Sequence, residues 1–201
     1  MDARGKKCWK EHCAHAFSQD LQSQCTLLQS VTRRRLSVDF LLFSPHGPYP
    51  CYKLCTMGAS DYKLPLTLCR RNEFFMLIPG EEPLEQGDLL SWYCDVLLSI
   101  ALYPMENHMA VTAFHSILWG KQPGTDMHGA FLIPPVCLQD PSLSACRLGP
   151  LRETDWLQAV LLTEAEISVL LQNGPEGLYD FLRQNPSSAD FLSRRFDRKD
   201  F

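Results

Sequence analysis

The sequence predicts an α+β domain built on a mixed or antiparallel central sheet with packed helices. Three observations carry this prediction. Short apolar runs of strand length recur between Pro- and Gly-rich connections, one internal segment switches to a helical period, and the last apolar stretches form a helical pair. The regular strand–helix alternation of a doubly wound parallel sheet is missing. At 201 residues, with 45 % hydrophobic and 21 % charged side chains, the chain fits one large domain. Such a domain buries roughly 70 % of its unfolded surface.

In "HAFSQDLQSQCTLLQSVTRRR" the apolar positions Phe17, Leu21, Cys25 and Leu28 share one helical stripe. This predicts a helical flank over 1–35, ending at Arg33-Arg34-Arg35, where cations complement the helix dipole. "SVDFLLF" (Ser37–Phe43) and "CYKLCTM" (Cys51–Met57) read as neighbouring antiparallel strands across the kinked "SPHGPYP". Asp39 interrupts the first run, and an Asp in a strand asks for a reason: a water-facing position or a binding role. In "LCTMGASDYKLP", Gly58 frees the backbone, and Thr56 and Ser60 are predicted to hydrogen-bond the turn.

"NEFFMLIP" (Asn72–Pro79) is a third strand, in which Arg71 and Glu73 share a face. An acidic loop with Glu81, Glu82 and Glu85 follows it. From the N-cap Asp88 a helix presents Leu89, Tyr93, Val96, Leu97 and Ile100 on one face, with Trp92 predicted buried and Pro104 as its end. "AVTAFHSILWG" (Ala110–Gly120), "GAFLIPPV" (Gly129–Val136) and "DWLQAVLL" (Asp155–Leu162) are further strands. Thr163 and Glu166 form a capping box, and Gly174-Pro175 stops that helix and starts another, with Leu178, Phe181 and Leu182 inward. The domain is thus set at 36–185, with a charged tail over 186–201.

Charge is unevenly spread. Residues 1–35 carry net +4, residues 194–201 net +2, and the body from 36 to 193 holds eight Lys/Arg against eighteen Asp/Glu, a net −10. An acidic body repels nucleic acid and attracts a basic protein partner. Nine cysteines, odd in number and irregular in spacing, together with a start lacking a signal-peptide run, predict reduced thiols and a cytoplasmic location. No apolar stretch reaches the ~20 residues that span a bilayer.

No motif for a phosphate loop, dinucleotide site, zinc protease or nucleophile elbow is present. Cys8, His12, Cys13 and His15 are the densest set of soft ligands, but no second pair completes a zinc site, so neither metal nor cofactor is predicted. A hydrolase would have to use His115 with Ser60 or Glu73, residues scattered over different elements.

Taken in order, "SVDFLLFSP", "YKLCTMGASD", "RRNEFFMLIP", the Trp92 helix, "FHSI", "GAFLIPPV" and "LLTEAEI" resemble the suppressor of fused-like domain family. Its pattern is an Asp-bearing strand, a strand ending T-x-G-x-S, an R-x-E-L strand, a W-P helix, a G-H-T-I segment and an L-x-P-P strand. The matching positions are Asp39, Thr56, Gly58, Ser60, Arg71, Glu73, Trp92, His115, Ser116, Ile117, Gly129, Leu132, Pro134 and Glu166. Ala59, Phe114 and Tyr93 depart from it, standing for Met, Gly and Pro.

The resemblance implies a fold like the N-terminal lobe of suppressor of fused and a non-enzymatic protein-binding module. In animals such proteins hold a strand-like transcription-factor peptide between two lobes; this chain has the length of one. Stand-alone bacterial members include immunity proteins that neutralise toxins. The expected partner is therefore a basic toxin or an extended peptide. The expected binding residues are Asp39, Thr56, Gly58, Ser60, Arg71, Glu73, His115 and Ser116, with Glu81 and Glu82 from the acidic loop.

Overall fold

The computed structural model describes residues 1–17, 25–33, 36–46, 50–63, 70–85, 88–138, 140–149 and 152–184. In chain order the elements are α1 (Ala3–Ala16), β1 (Cys25–Arg33), β2 (Leu36–Phe43), β3 (Cys51–Met57), β4 (Arg70–Pro79) and α2 (Leu89–Glu106). After these come β5 (Ser116–Leu118), β6 (Met127–Ile133), β7 (Ala145–Gly149), β8 (Arg152–Thr163) and α3 (Glu164–Gln184). The strands make one sheet in the order β1-β2-β3-β4-β8-β6-β5, with β7 also paired to β8. Among the described residues β4 and β8 are the one parallel pair. The sheet is mixed, as the sequence predicts.

Helices cover both faces, so β6 is buried along its whole length and β2 and β3 along most of theirs. On one face Val38, Phe40, Leu54, Phe74, Met76 and Leu157 pack with Tyr93, Leu97 and Ile100 of α2. On the other, Leu41, Phe43, Met57, Phe75 and Trp156 pack against Trp9, Cys13 and Phe17 of the α1 region. Further along that second face, Phe131, Ile133, Val160 and Leu162 meet Leu170, Leu178 and Leu182 of α3. Each such fully buried side chain contributes about 1.5–3 kcal/mol relative to exposure.

The N-terminal reading needs correction. Helix α1 lies earlier than predicted, and Cys25 and Leu28 sit in β1, paired antiparallel with β2 across a bulge between Leu28 and Val31. The β-branched Thr26, Val31 and Thr32 suit a strand, and the open edge of β2 supplies a long-range partner that local spacing does not reveal. Leu21, Arg34, Arg35 and the 186–201 tail lie outside the described residues.

Three smaller differences have local causes. Helix α2 runs through Pro104 to Glu106, because a proline removes a single helical hydrogen bond and Asn107 N still closes on Tyr103 O at 3.0 Å. Trp92 is half-buried, with its indole N–H reaching Gln122 Oε1 at 3.3 Å, while Tyr93 takes the core position. The strand predicted over Ala110–Gly120 shortens to Ser116–Leu118, since Phe114 adopts φ 67, a left-handed conformation incompatible with an extended run. The Thr163–Glu166 capping box forms as read: Thr163 N donates to Glu166 Oε2 at 2.9 Å and Glu166 N to Thr163 Oγ1 at 3.4 Å. Gly174, at φ 72, kinks α3 where the sequence places a stop.

Candidate functional site

At the end of β3 the chain reverses through Gly58 and one 3-10 turn over Ala59–Asp61. Only glycine fits here. Its φ is 117, and an added Cβ would lie 2.4 Å from Ser37 O. Beside the turn, alternation along β4 sends Glu73 to the α1 face with Phe75 and Leu77, where it is wholly buried.

Four donors meet the Glu73 carboxylate. Oε1 accepts from Gly58 N (2.8 Å), Ser60 N (3.0 Å) and Ser60 Oγ (2.6 Å), and Oε2 accepts from Thr56 Oγ1 (2.6 Å). Thr56 Oγ1 in turn accepts from Phe74 N at 2.8 Å. An unpartnered buried carboxylate is costly, so this convergence is what allows Glu73 to stay inside, and it ties β3, the turn and β4 together.

A charged shell surrounds the turn. Arg71 Nη1 donates to Ser60 O (2.8 Å) and Asp61 O (3.2 Å), and Arg152 Nη2 to Ser60 Oγ (2.8 Å) and Asp61 Oδ1 (2.7 Å). Arg71 and Glu73 therefore do not pair directly; Ser60 joins them. Burial, then the neighbouring Arg152, lower the Arg71 pKa. The N-terminal ammonium of Met1 pairs with Asp61, Lys6 pairs with Asp39, and Trp9 Nε1 donates to Thr56 O at 2.9 Å. Asp39 does not face water. It is 3 % exposed and sits beside Met57 in the β2–β3 register.

The expected binding residues thus fall in three places. Thr56, Gly58, Ser60, Arg71 and Glu73 form the turn network, with Asp39 on the adjoining strand. His115 and Ser116 lie at β5. Glu81 and Glu82 lie past the far end of β4, about 20 Å along the strand at ~3.3 Å per residue. Glu81 is exposed, whereas Glu82 is 5 % exposed and folded into a tight turn by Glu82 N to Pro79 O at 3.1 Å.

The geometry does not assemble the nucleophile–base contact of the hydrolase alternative. Ser60 Oγ is buried and gives its hydrogen to Glu73, and His115 bonds neither residue. The His115 ring lies 5.7 Å from Tyr103, its buried Nε2 has no partner among the described residues, and burial lowers its pKa. His12 of α1 is drawn to Leu143 O (2.9 Å) and stacks on Trp9 at 5.4 Å, so the N-terminal Cys/His residues do not converge. Among the described residues no group of three or more His, Cys, Asp or Glu is placed to hold a metal.

One cleft, of about 300 Å³, opens where β8 changes partner. β6 leaves β8 at the Ile133–Gln158 pair and β7 joins it at Ala145–Asp155, so among the described residues Trp156 and Leu157 have no ladder neighbour on that edge. Asn72, Val111, Thr112, Pro134, Asp155 and Trp156 line the opening. The lining is mixed, with the buried Asn72, and with Thr112 and Asp155, among apolar neighbours.

Sequence reasoning missed Lys6, Trp9 and Arg152. Lys6 and Trp9 lie on a helix placed elsewhere. Arg152 left a faint signal: it shares the face of Thr154 and Trp156 under strand alternation, ahead of the predicted "DWLQAVLL" run.

The family model described as Suppressor of fused protein (SUFU) matches residues 35–195. Among curated proteins no sequence match is found. Solved structures share the fold, among them the following three. "The Sufu-Fu complex crystal structure" superposes with TM-score 0.70 at 16 % identity, covering 97 % of this chain and 91 % of that chain. Drosophila Suppressor of Fused gives 0.71 at 16 % identity over 99 % of this chain, which spans only 53 % of that one. A SUFU homologue from Neisseria gonorrhoeae FA 1090, described as putative, gives 0.70 at 13 % identity, covering 98 % and 97 %.

Proposed function

This chain belongs to the Suppressor of fused protein (SUFU) family, and on that premise we propose that it is a non-enzymatic protein-binding module, in its narrower form an immunity protein that neutralises a toxin. The carrying observation is that nearly the whole chain shares the fold of a Sufu chain solved in complex with Fu. The Neisseria gonorrhoeae homologue, of nearly the same extent, supports a role for the single domain. The net −10 of residues 36–193 supports a basic protein as partner, since opposite fields speed encounter and exclude acidic competitors. The turn network fits this reading as scaffolding: its acceptors and hydroxyls are spent on one another.

Capture with the full chain tests the proposal. The expected result is a basic protein that arrests growth when expressed alone and is harmless when this chain is co-expressed. A non-toxic partner would end the immunity reading and leave binding standing; recovery of no protein would end both.

A second reading has its own observation. β5 ends the strand order, is three residues long, carries Leu118 at 47 % exposure, and among the described residues leaves an open edge to which an extended peptide adds as a strand. Amide exchange protection confined to Ser116–Leu118 on adding a partner peptide would favour it; protection elsewhere would dismiss it.

A further inference from the structure

Alternation along β4 and β8 sends Asn72 and Asp155 to the α2 face of the sheet, with Phe74 and Met76 on one strand and Leu157 and Ala159 on the other. The parallel register sets Asn72 directly opposite Asp155, on strands ~4.8 Å apart. Both line the cleft of about 300 Å³. Asn72 is 5 % exposed, and its own bond orients its carboxamide: Nδ2 donates to Val111 O at 2.8 Å, which leaves Oδ1 with no partner among the described residues. A buried acceptor without a donor is costly, so this oxygen calls for one from the cleft. Asp155, half-buried, is the one charged side chain among the described residues of the lining, and a carboxylate has about four lone-pair sites to offer. Thr112 Oγ1 gives its hydrogen to Ala113 O at 3.3 Å and keeps its lone pairs. Neighbouring residues of a strand aim their N–H and C=O at opposite edges, so one of Trp156 and Leu157 turns a further carbonyl toward the gap between β6 and β7.

We propose that this cleft receives a guanidinium, carried on an arginine side chain of the basic partner. A negative charge beside several acceptors selects a cation rich in donors, and guanidinium carries five N–H groups in one plane. Two of them can meet the Asp155 carboxylate side by side while another reaches Asn72 Oδ1 on the neighbouring strand. An ammonium offers three donors from a single nitrogen and cannot form the parallel pair. The apolar part of the lining, Val111, Pro134 and Leu157, suits the three methylenes of the stem. The volume agrees: ligand pockets run from about 300 to 1,000 Å³, so a cleft at the small end takes a side chain rather than a larger molecule. The choice of occupant rests on the protein-binding reading and on the net −10 of residues 36–193, but the site can be tested without the partner.

The test titrates the full chain by calorimetry, at fixed ionic strength, with N-acetyl-arginine methylamide and with its citrulline and lysine counterparts. Expected is saturable one-to-one binding of the arginine probe, with the uncharged citrulline probe weaker by at least about tenfold, the factor that one charge-assisted hydrogen bond carries. Asp155→Asn should weaken the arginine probe by a similar factor, and the lysine probe should bind more weakly than arginine. Should Asp155→Asn not fold, Thr112→Lys changes an exposed position and sets a competing cation at the mouth of the cleft, which should abolish binding. Heats that never saturate, citrulline or lysine binding as tightly as arginine, or binding that survives Asp155→Asn or Thr112→Lys would each overturn the proposal. Such a failure leaves capture of a basic protein untouched, whereas failure to capture any protein, with the arginine probe still bound, would strike the protein-binding reading alone.

Discussion

Glu73 and Glu166 are both buried glutamates that satisfy backbone amides at the edge of a strand, but they do so over different distances. Glu166 accepts from Thr163 N three residues away, while Glu73 accepts from donors thirteen, fifteen and seventeen residues back along the chain. The first is a local cap that starts α3. The second closes a turn between two strands of the sheet and is flanked by Arg71, Arg152 and α1. The same chemistry is therefore a property of one helix end in one place and of the tertiary fold in the other.

If that contrast is right, removing the two carboxylates has unequal effects. Glu73→Ala strands Gly58 N, Ser60 N and the Ser60 hydroxyl in the core, while Thr56 Oγ1 keeps Phe74 O at 3.2 Å, and is expected to cost about 3–5 kcal/mol in urea unfolding. A cost under about 1 kcal/mol would show that the turn holds without it. Gly58→Ala attacks the same turn through the backbone, by positive φ and the contact with Ser37 O, and should cost about 2–4 kcal/mol by the same assay. Glu166→Ala removes a local cap and should cost about 1–2 kcal/mol, with helical circular dichroism slightly reduced. Equal losses for Glu73→Ala and Glu166→Ala would erase the distinction.

What the sequence revealed follows the same line. β3 reads identically in sequence and structure, and the capping box and the Gly174 break were visible, because periodicity and spacing encode local events. That Thr56 and Ser60 serve the turn was also legible. Their acceptor was not, since nothing in "RRNEFF" says which strand lies beside Glu73 or which way it faces. β1 was mistaken for helix because its pairing with β2 is long-range, and Lys6 and Arg152 were missed because they reach the site from α1 and β8, far away in the chain.

The smallest expected effect is a pH dependence. Burial lowers the pKa of His12, and of His115, from the model-compound 6.5. A base with a depressed folded pKa binds its proton more readily when unfolded, so stability is full above 6.5 and falls as pH drops through the window below it. Urea midpoints compared at pH 7.5 and 5.5 should show that decline, and His115→Gln should flatten part of it.

Binding is the central claim, and reversing exposed charge tests it most directly. Glu81 and Glu85 are exposed, unlike Glu82, so Glu81→Lys with Glu85→Lys alters the acidic surface and spares the core. Affinity for the captured protein, measured by titration calorimetry at low salt, is predicted to fall on the order of tenfold. Equal affinity for both forms, or no protein partner at all, would contradict the account.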